Sequence, residues 1–288
     1  MKKLLFVAFI IFISFTGLVI WQYITLYDGK LHIVFCDVGQ GDGIFIRTPS
    51  GKDILLDGGP DEKVLDCLSS QMPFWDRTIE LILLSHPHLD HFAGLYTVIK
   101  RYSVLSFSSE NLSNTSVAFS AFQKELRKNN IPTKIISMGS VIKIDDGVRL
   151  EVLAPDKEFL AKTSPKGQIG ESGEFGSLLM LLTYGKFRAL FTSDNQTTQL
   201  LDRTGAIEAV DVLQVPHHGS RTGLVPDLLT SLSPKLAVIS VGERNRYGHP
   251  HKEVLAMLAA YNIATYRTDR NGTIKITTDG SELFLKKD

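Results

Sequence analysis

The heptapeptide S-H-P-H-L-D-H at residues 85–91 constrains this chain more than any other stretch. It directly follows a short apolar run of the kind that forms a buried strand. Alternate side chains of an extended segment point to one side, so His86 and His88 share a face. Asp90 and His91 open the next helix and approach from another direction. One loop could therefore serve two adjacent metal ions, whereas a polar strand end capped by an aspartate has no need of three imidazoles.

The chain beyond this loop alternates short strands, glycine-bearing turns and amphipathic helices. Apolar runs and alternation predict strands at 31–35, 43–47, 53–56, 80–84, 148–153, 178–184, 187–192, 212–215, 236–241, 273–277 and 282–285. Helical periodicity predicts helices at 62–71, 91–102, 117–129, 196–203 and 251–261. Mixed strands with intervening helices favour two sheets covered by helices, which is a four-layer α/β arrangement.

An uncharged apolar segment at 4–24 follows two N-terminal lysines. Its length at helical rise is about 30 Å, the thickness of a bilayer core, and Trp21 near its far end is typical of an interfacial aromatic. We expect residues 1–30 to be an uncleaved membrane anchor, with the lysines on the cytoplasmic side and residues 31–288 on the extracytoplasmic side. A cleavable signal peptide and a buried core helix are the alternatives.

Composition excludes several classes of protein. The 288 residues, 43% hydrophobic and 22% charged, suffice for a large core. The 31 basic and 31 acidic residues give a formal charge of zero, which argues against a protein that simply coats nucleic acid. Two cysteines, Cys36 and Cys67, are too few for a disulfide scaffold or a Cys-rich zinc module, and the sequence leaves open whether they pair.

The heptapeptide resembles the defining signature of the metallo-β-lactamase fold, H-x-H-x-D-H. Further motifs resemble, in the same order, the C-terminal domain of the ComEC competence proteins and its stand-alone relatives: D-V-G-Q-G-D at 37–42, L-L-D-G-G at 55–59, V-P-H-H-G-S at 215–220 and Y-G-H-P-H at 247–251. The resemblance covers about 31–287. It implies an αββα sandwich with a two-metal hydrolytic site at one edge.

The resemblance divides the loop between two metals, with His86 and His88 on the first, and Asp90 and His91 on the second. Asp194, in F-T-S-D at a strand end, stands where the family has a bridging carboxylate. Two close cations need such a shared anion. The sequence departs from the family because many members carry another histidine before the bridge, and residues 92–216 contain none.

The V-P-H-H-G-S motif offers a replacement for that histidine. We expect His217, which follows a buried strand, to complete the first metal. His218 would then act on the substrate, while Asp90 and Asp194 hold the metals and shuttle the proton. The exchanged assignment of the two neighbouring histidines stays open. We expect His249 on the second metal, the alternative being a surface histidine beside a proline.

Aspartates beside glycines are expected to support the histidine loop from behind. Asp57 of L-L-D-G-G would orient it through hydrogen bonds, as metal-bound imidazoles commonly require, and Asp37 or Asp42 would do the same. Turn-forming aspartates are the alternative. Ser220 and Arg221 are expected to contact a phosphate, with an ordinary polar turn as the alternative.

Imidazoles and carboxylates without thiolates suit two zinc or two manganese ions, and the sequence does not choose between them. Two such ions would supply a hydroxide at neutral pH. We therefore expect a membrane-anchored metal-dependent hydrolase, of the phosphodiesterase or nuclease class. By resemblance its substrate is single-stranded DNA during DNA uptake. Residues 25–288 contain no second apolar run near 20 residues, so the chain would assist a separate channel protein, act as an independent surface hydrolase or have another role. A cell-envelope phosphodiester such as phosphocholine on teichoic acid, a β-lactam, or a non-enzymatic tethered binding role are the alternatives.

Overall fold

Two sheets stacked face to face form the centre of the molecule. The structure, a computed structural model, describes residues 1–144, 146–171, 176–204 and 207–287. The strands are β1 (Leu31–Phe35), β2 (Ile44–Arg47), β3 (Asp53–Leu56), β4 (Thr78–Ile79), β5 (Leu81–Leu84), β6 (Ser103–Val104), β7 (Phe107–Ser109), β8 (Thr133–Ile135), β9 (Val141–Lys143), β10 (Arg149–Ala154), β11 (Leu179–Tyr184), β12 (Phe187–Phe191), β13 (Val212–Gln214), β14 (Leu236–Ile239), β15 (Ala264–Arg267), β16 (Ile274–Thr278) and β17 (Leu283–Lys287). The α-helices are α1 (Lys2–Leu26), α2 (Lys63–Gln71), α3 (Leu89–Arg101), α4 (Val117–Lys128), α5 (Lys157–Thr163), α6 (Thr197–Thr204), α7 (Pro226–Leu232), α8 (Lys252–Ala260) and α9 (Thr268–Asn271).

The strand order brings the carboxyl ends of several strands to one edge of each sheet. The first sheet has the order β17-β16-β1-β2-β3-β5-β7-β8, and the second has the order β15-β14-β13-β12-β11-β10-β9. In the first, β1 to β3 are joined by antiparallel pairing and β3, β5, β7 and β8 pair in parallel. In the second, β12 to β15 pair in parallel. The loops that follow β1, β3 and β5 therefore start from one edge of the first sheet. The loops that follow β12 and β13 start from one edge of the second.

Three apolar layers hold this arrangement together. The layer between the sheets contains side chains of both, among them Phe35 and Phe191, whose ring centroids are 6.3 Å apart. A second layer packs α2, α3 and α4 on the first sheet, and a third packs α6, α7 and α8 on the second. Burying each large apolar side chain is worth about 1.5–3 kcal/mol, so the layers fix the stacking. The predicted four-layer αββα arrangement is confirmed.

A disulfide joins the first sheet to the helix layer. Cys36, directly after β1, bonds to Cys67 in α2, with 5.7 Å between the Cα atoms and a sequence separation of 31. Both side chains are buried, at 1% and 5% exposure. The cross-link thus pins the start of the loop 37–42 to α2.

Helix α1 stands apart from these layers, and none of its described residues is buried. It is long and apolar enough to cross a membrane by length and composition. Its end is tied to the body through Tyr27, whose hydroxyl lies 3.4 Å from Asp76 Oδ2 and whose ring faces the Arg47 guanidinium at 5.3 Å. Tyr27 also approaches Gly51, in the turn between β2 and β3. The helix therefore meets the first sheet at the amino end of β1.

Candidate metal centre

Loops from both sheets converge at the edge where the strands end. The residues after β1, β3 and β5 meet those after β12 and β13, as the carboxyl ends of parallel strands are expected to do. They enclose a cavity of about 410 Å³ lined by Gln40, His88, Leu89, Asp90, Asp194, His217, His218, Tyr247 and His249. The heptapeptide and the V-P-H-H-G-S motif, 126 positions apart at His91 and His217, thus share one wall.

Asp194 lies at the centre of the histidines. Its Oδ2 is 3.6 Å from Nε2 of His86, of His91 and of His217. Its Oδ1 is 3.4 Å from Nε2 of His218. The carboxylate is almost fully buried, at 3% exposure. One anion thus faces four imidazoles, the arrangement expected of a group shared by two cations.

A first group of possible ligand atoms comes from His86, His88 and Asp194, all within 4.8 Å of one another. His86 Nε2 is 2.9 Å from His88 Nδ1. On the other side of the ring, His86 Nδ1 faces the hydroxyls of Ser85 at 3.0 Å and Ser177 at 3.2 Å. The serines hold the ring so that Nε2 points into the cavity.

A second group consists of Asp42, His91, Asp194 and His218, again within 4.8 Å. Asp57 orients His91, because its Oδ2 lies 2.9 Å from His91 Nδ1. Asp57 in turn accepts hydrogen bonds from the backbone N–H and the hydroxyl of Ser85, at 2.7 and 2.6 Å. Asp57 thus lies where it can hold the His91 ring in place.

His218 is oriented by the backbone of the neighbouring strand. Its Nδ1 lies 2.9 Å from the carbonyl oxygen of Ser240, so it carries the proton and donates it there. Its Nε2 then faces Asp90 Oδ2 at 3.7 Å. His217 and His218 both have left-handed φ angles, 51° and 55°. Such a conformation costs about 1–3 kcal/mol per residue and turns both rings toward the carboxylates.

Several buried polar atoms here have no hydrogen-bond partner among the described residues: His91 Nε2, His218 Nε2 and Asp194 Oδ1. Leaving such an atom unsatisfied costs about 1–3 kcal/mol, yet all three point into one space. Buried imidazole nitrogens and carboxylate oxygens that converge in this way fit a divalent metal ion.

The carboxylates also set the charge of the imidazoles. Burial opposes a proton on His218, but Asp194, Asp42 and a contact with Asp90 outweigh it and raise the pKa of His218 to about 9. Burial likewise opposes a charged Asp194, yet His218 and His91 hold the pKa of that carboxyl well below its usual range. Positive charge is thus favoured at the positions where a metal would sit.

His249 lines the cavity without joining either group of ligand atoms. Its backbone N–H donates to Asn245 Oδ1 at 2.9 Å, and its ring centroid is 5.7 Å from that of His217. Burial first, and then His217 and His218, lower its pKa to about 4. His218 Nε2 lies 3.7 Å from Asp90 Oδ2 and 3.4 Å from Asp194 Oδ1, and the expected role of His249 on the second metal stays a prediction.

Three further candidates lie outside the cavity lining in the described part of the chain. Asp37 is exposed and accepts a hydrogen bond from the backbone two residues on, at 3.2 Å. Ser220 Oγ is 3.1 Å from Thr222 Oγ1, and Arg221 forms an exposed ion pair with Glu253 at 3.0 Å. Asp37 and Ser220 thus make the local contacts of a polar turn, whereas Arg221 pairs across the surface with the first turn of α8. Of the two aspartates in D-V-G-Q-G-D, only Asp42 reaches the second group.

The serines beneath His86 and the residues at the rim of the cavity were not predicted as site residues. Ser193 Oγ donates to Ser85 Oγ at 2.7 Å. Serine hydroxyls from three segments of the chain therefore lie together on the Nδ1 side of the His86 ring. Leu89 and Tyr247 at the rim are 54% and 51% exposed. Tyr247 adjoins His249 in a quoted motif, which was a usable signal. The serines offered none, because only the fold brings them together.

The fold and this metal-binding pattern define a class of protein, and comparison with known proteins agrees. A model of the metallo-beta-lactamase superfamily matches residues 36–243, so the chain belongs to that superfamily. It is 27% identical over 279 residues to ComE operon protein 3 of Bacillus subtilis (strain 168), covering 86% of this chain and 33% of that protein. It is 25% identical over 266 residues to competence protein ComA of Neisseria gonorrhoeae, covering 90% and 34%. The resemblance to competence proteins is confirmed, and the chain spans about a third of these relatives.

A solved structure shows the same fold. The metallo-beta-lactamase fold protein YhfI from Bacillus subtilis superimposes with a TM-score of 0.55 at 11% identity, covering 89% of this chain and all of that one. The matched arrangement is the αββα sandwich described above.

Proposed function

We propose that this protein is a membrane-anchored hydrolase of phosphodiester bonds that uses two divalent metal ions, zinc or manganese. One observation carries the proposal: Asp194 is buried between two sets of imidazole nitrogens, within 3.4–3.6 Å of four of them. Two such ions would activate water and neutralise charge on a phosphoryl group.

The ligands divide into two sets that share Asp194: His86, His88 and His217 for the first metal, and Asp90, His91 and His218 for the second. Two observations support this division: His86 groups with His88, and His91 groups with His218. His217 shares Asp194 Oδ2 with His86, and Asp90 faces His218 Nε2 at 3.7 Å, whereas Asp42 lies on the Nδ1 side of His91 and His218. It keeps His217 where the sequence analysis put it, and it moves His218 from the substrate to the second metal, leaving His249 as part of the cavity wall. The backs of the rings are held by Asp57 and Ser240.

Asp90 is the carboxylate best placed to exchange a proton with the substrate. Its side chain is 31% exposed, whereas that of Asp194 is 4% exposed. Burial opposes the charged form, but His218 and His91 hold the pKa of Asp90 below its usual range. It is therefore ionised at neutral pH. Because a lowered pKa also makes it a weak base, it would take a proton only from water whose own pKa the metals had lowered.

Two observations support catalysis outside the cytoplasmic membrane, with α1 (Lys2–Leu26) as the anchor. Lys2 and Lys3 precede the apolar segment, and the positive-inside rule favours the cytoplasmic side for such residues. The Cys36–Cys67 disulfide is typical of an oxidising compartment.

The names of the relatives support nucleic acid as the substrate. One matched protein is called a competence protein, and the matched region is about a third of its length. We propose that this chain cleaves single-stranded DNA outside the membrane and works beside a separate channel protein. The open cavity, with exposed Tyr247 at its rim, could admit a flexible strand.

The test measures metal content and substrate preference on one sample of the full chain in detergent. We expect two metals per chain by elemental analysis, and hydrolysis of bis(p-nitrophenyl) phosphate and of single-stranded DNA with added zinc or manganese. Asp202→Asn, a change at an exposed carboxylate, serves as the control and should match the unaltered protein. Cleavage of nitrocefin alone, or absence of both metal and turnover, would contradict the proposal. Cleavage of the small ester without DNA would point to a cell-envelope phosphodiester.

A further inference from the structure

We propose that the loop at residues 73–75, here called the PFW loop, is a second membrane contact that enters lipid beside α1. The loop joins α2 to β4 and has the sequence Pro-Phe-Trp. This inference rests on the proposed role of α1 as a membrane anchor. It adds a fixed orientation of the catalytic domain to that anchor.

The PFW loop exposes two large adjacent aromatic side chains. Phe74 and Trp75 are 42% and 40% exposed, although most large apolar side chains of the sandwich are buried. Their rings pack edge to face, with centroids 4.9 Å apart. Exposed aromatic pairs cost free energy in water, and Trp favours the boundary between lipid and water.

The contacts of the loop place it alongside the apolar part of α1. The Phe74 ring lies 5.7 Å from that of Phe15, and its backbone N–H donates to Gln22 Oε1 at 3.1 Å. Phe15 precedes Ile24, the last residue of the uncharged segment, by nine positions. At helical rise this is about 14 Å. A ring that touches Phe15 therefore lies within the span of hydrocarbon that α1 would cross.

Two charged groups next to the loop, Asp76 and Arg47, are already paired within the protein. Asp76 Oδ2 is 3.4 Å from Arg47 Nη2 and 3.4 Å from the Tyr27 hydroxyl. Arg47 is itself buried and bonds Asp53 at 2.6 and 2.8 Å. Because these charges are compensated, they add no unpaired ion to the lipid contact. Arg77, two residues past Trp75, is exposed and donates to the Tyr102 hydroxyl at 3.4 Å, and its long side chain can keep the guanidinium at the headgroups. Lipid is therefore the occupant that fits, since the exposed rings continue the apolar surface of α1.

The chain contains only two tryptophans, Trp21 and Trp75, which makes the proposal directly testable. In the full chain carrying Trp21→Phe, all tryptophan fluorescence comes from Trp75. The protein is placed in nanodiscs, one chain per disc, made of phosphatidylcholine that is brominated or unbrominated on its acyl chains. We expect brominated lipid to remove most of the Trp75 emission, and aqueous iodide to leave it largely unchanged.

The matched variant Trp75→Phe reports on Trp21 and separates the two proposals. Quenching of both tryptophans by brominated lipid supports the loop contact. Quenching of Trp21 alone, with Trp75 open to iodide, overturns the loop contact and leaves the anchor standing. Quenching of neither shows that the anchor itself is wrong. Shielding of Trp75 from iodide only in discs with two chains, without quenching by lipid, overturns the lipid contact in favour of a second copy.

Discussion

At the scale of single residues, Asp194 connects the two halves of the metal centre. Replacing it with alanine removes the carboxylate that faces four imidazoles. We expect Asp194→Ala to lose both metals and nearly all hydrolysis while the fold persists, because the apolar layers do not depend on it. Elemental analysis and circular dichroism would check this. A metal-replete, fully active variant would show that the bridge is misassigned.

Replacing His217 and replacing His218 should each remove a different metal ion. His218 is held by Ser240 with its Nε2 toward Asp90 and Asp194. We therefore expect His218→Gln to reduce metal content from two ions to one per chain, and His217→Gln to affect the other ion. Metal counting on both variants, with the double variant as reference, tests the division. If His218→Gln keeps two metals and only slows turnover, His218 acts on the substrate as the sequence first suggested.

The raised pKa of His218 predicts how metal uptake depends on pH. A metal binds only the neutral imidazole, so below about pH 9 it must displace the proton that Asp194 and Asp42 favour on this ring. We expect apparent metal affinity to rise from pH 6 to pH 9, about tenfold per unit for each proton displaced. Competition with a chelator of known affinity would measure it. Uptake that does not change with pH would contradict the protonated ring.

At the scale of elements, the strands and helices with a regular apolar pattern were predictable, and some short elements were not. The predicted strands 31–35 and 53–56 match β1 and β3, and the predicted helix 117–129 matches α4 within one residue. Strand β8 (Thr133–Ile135) was missed because all three residues are exposed and show no apolar alternation. Helix α7 (Pro226–Leu232) was missed although proline at a first turn and spaced leucines are a helix signal.

The site was predictable where ligands are adjacent in sequence. The heptapeptide predicted His86, His88, Asp90 and His91 on one loop, and the strand end predicted Asp194. All of these except Asp90 belong to the two groups of possible ligand atoms. The orientation of His218 was not predictable, because it follows from a left-handed backbone and a carbonyl oxygen on another strand. The same holds for the disulfide, since a spacing of 31 residues says nothing about the 5.7 Å between the Cα atoms.

The Cys36–Cys67 disulfide should contribute measurably to stability. Closing a loop of 31 residues restricts the unfolded chain by about 3–4 kcal/mol on the chain-entropy account. We expect a reductant to lower the free energy of unfolding by about that amount. Denaturant titration with and without dithiothreitol measures it. Cys36→Ser should match the reduced protein and no longer respond to the reductant, and an unaltered midpoint after reduction would show that the bond does not constrain the unfolded chain.

At the scale of the whole molecule, the sandwich separates the apolar helix α1 from the candidate metal centre. Helix α1 and the turn at Gly51 meet the amino end of β1, whereas Asp42, Asp57 and the heptapeptide follow the carboxyl ends of β1, β3 and β5. Strands of four or five residues rise about 3.3 Å per residue, so the two ends are roughly 15 Å apart.

That spacing fixes the distance between α1 and the candidate metal centre. If α1 crosses a bilayer as proposed, the strands would hold the candidate metal centre at a constant height above the headgroups. Phospholipids of the same leaflet would then be out of reach of the site. A long polymer that crosses the membrane surface would be cleaved at a set distance from the membrane. The lengths of β1 and β5, as much as the metal ligands, would then decide how much of the polymer remains attached to the membrane.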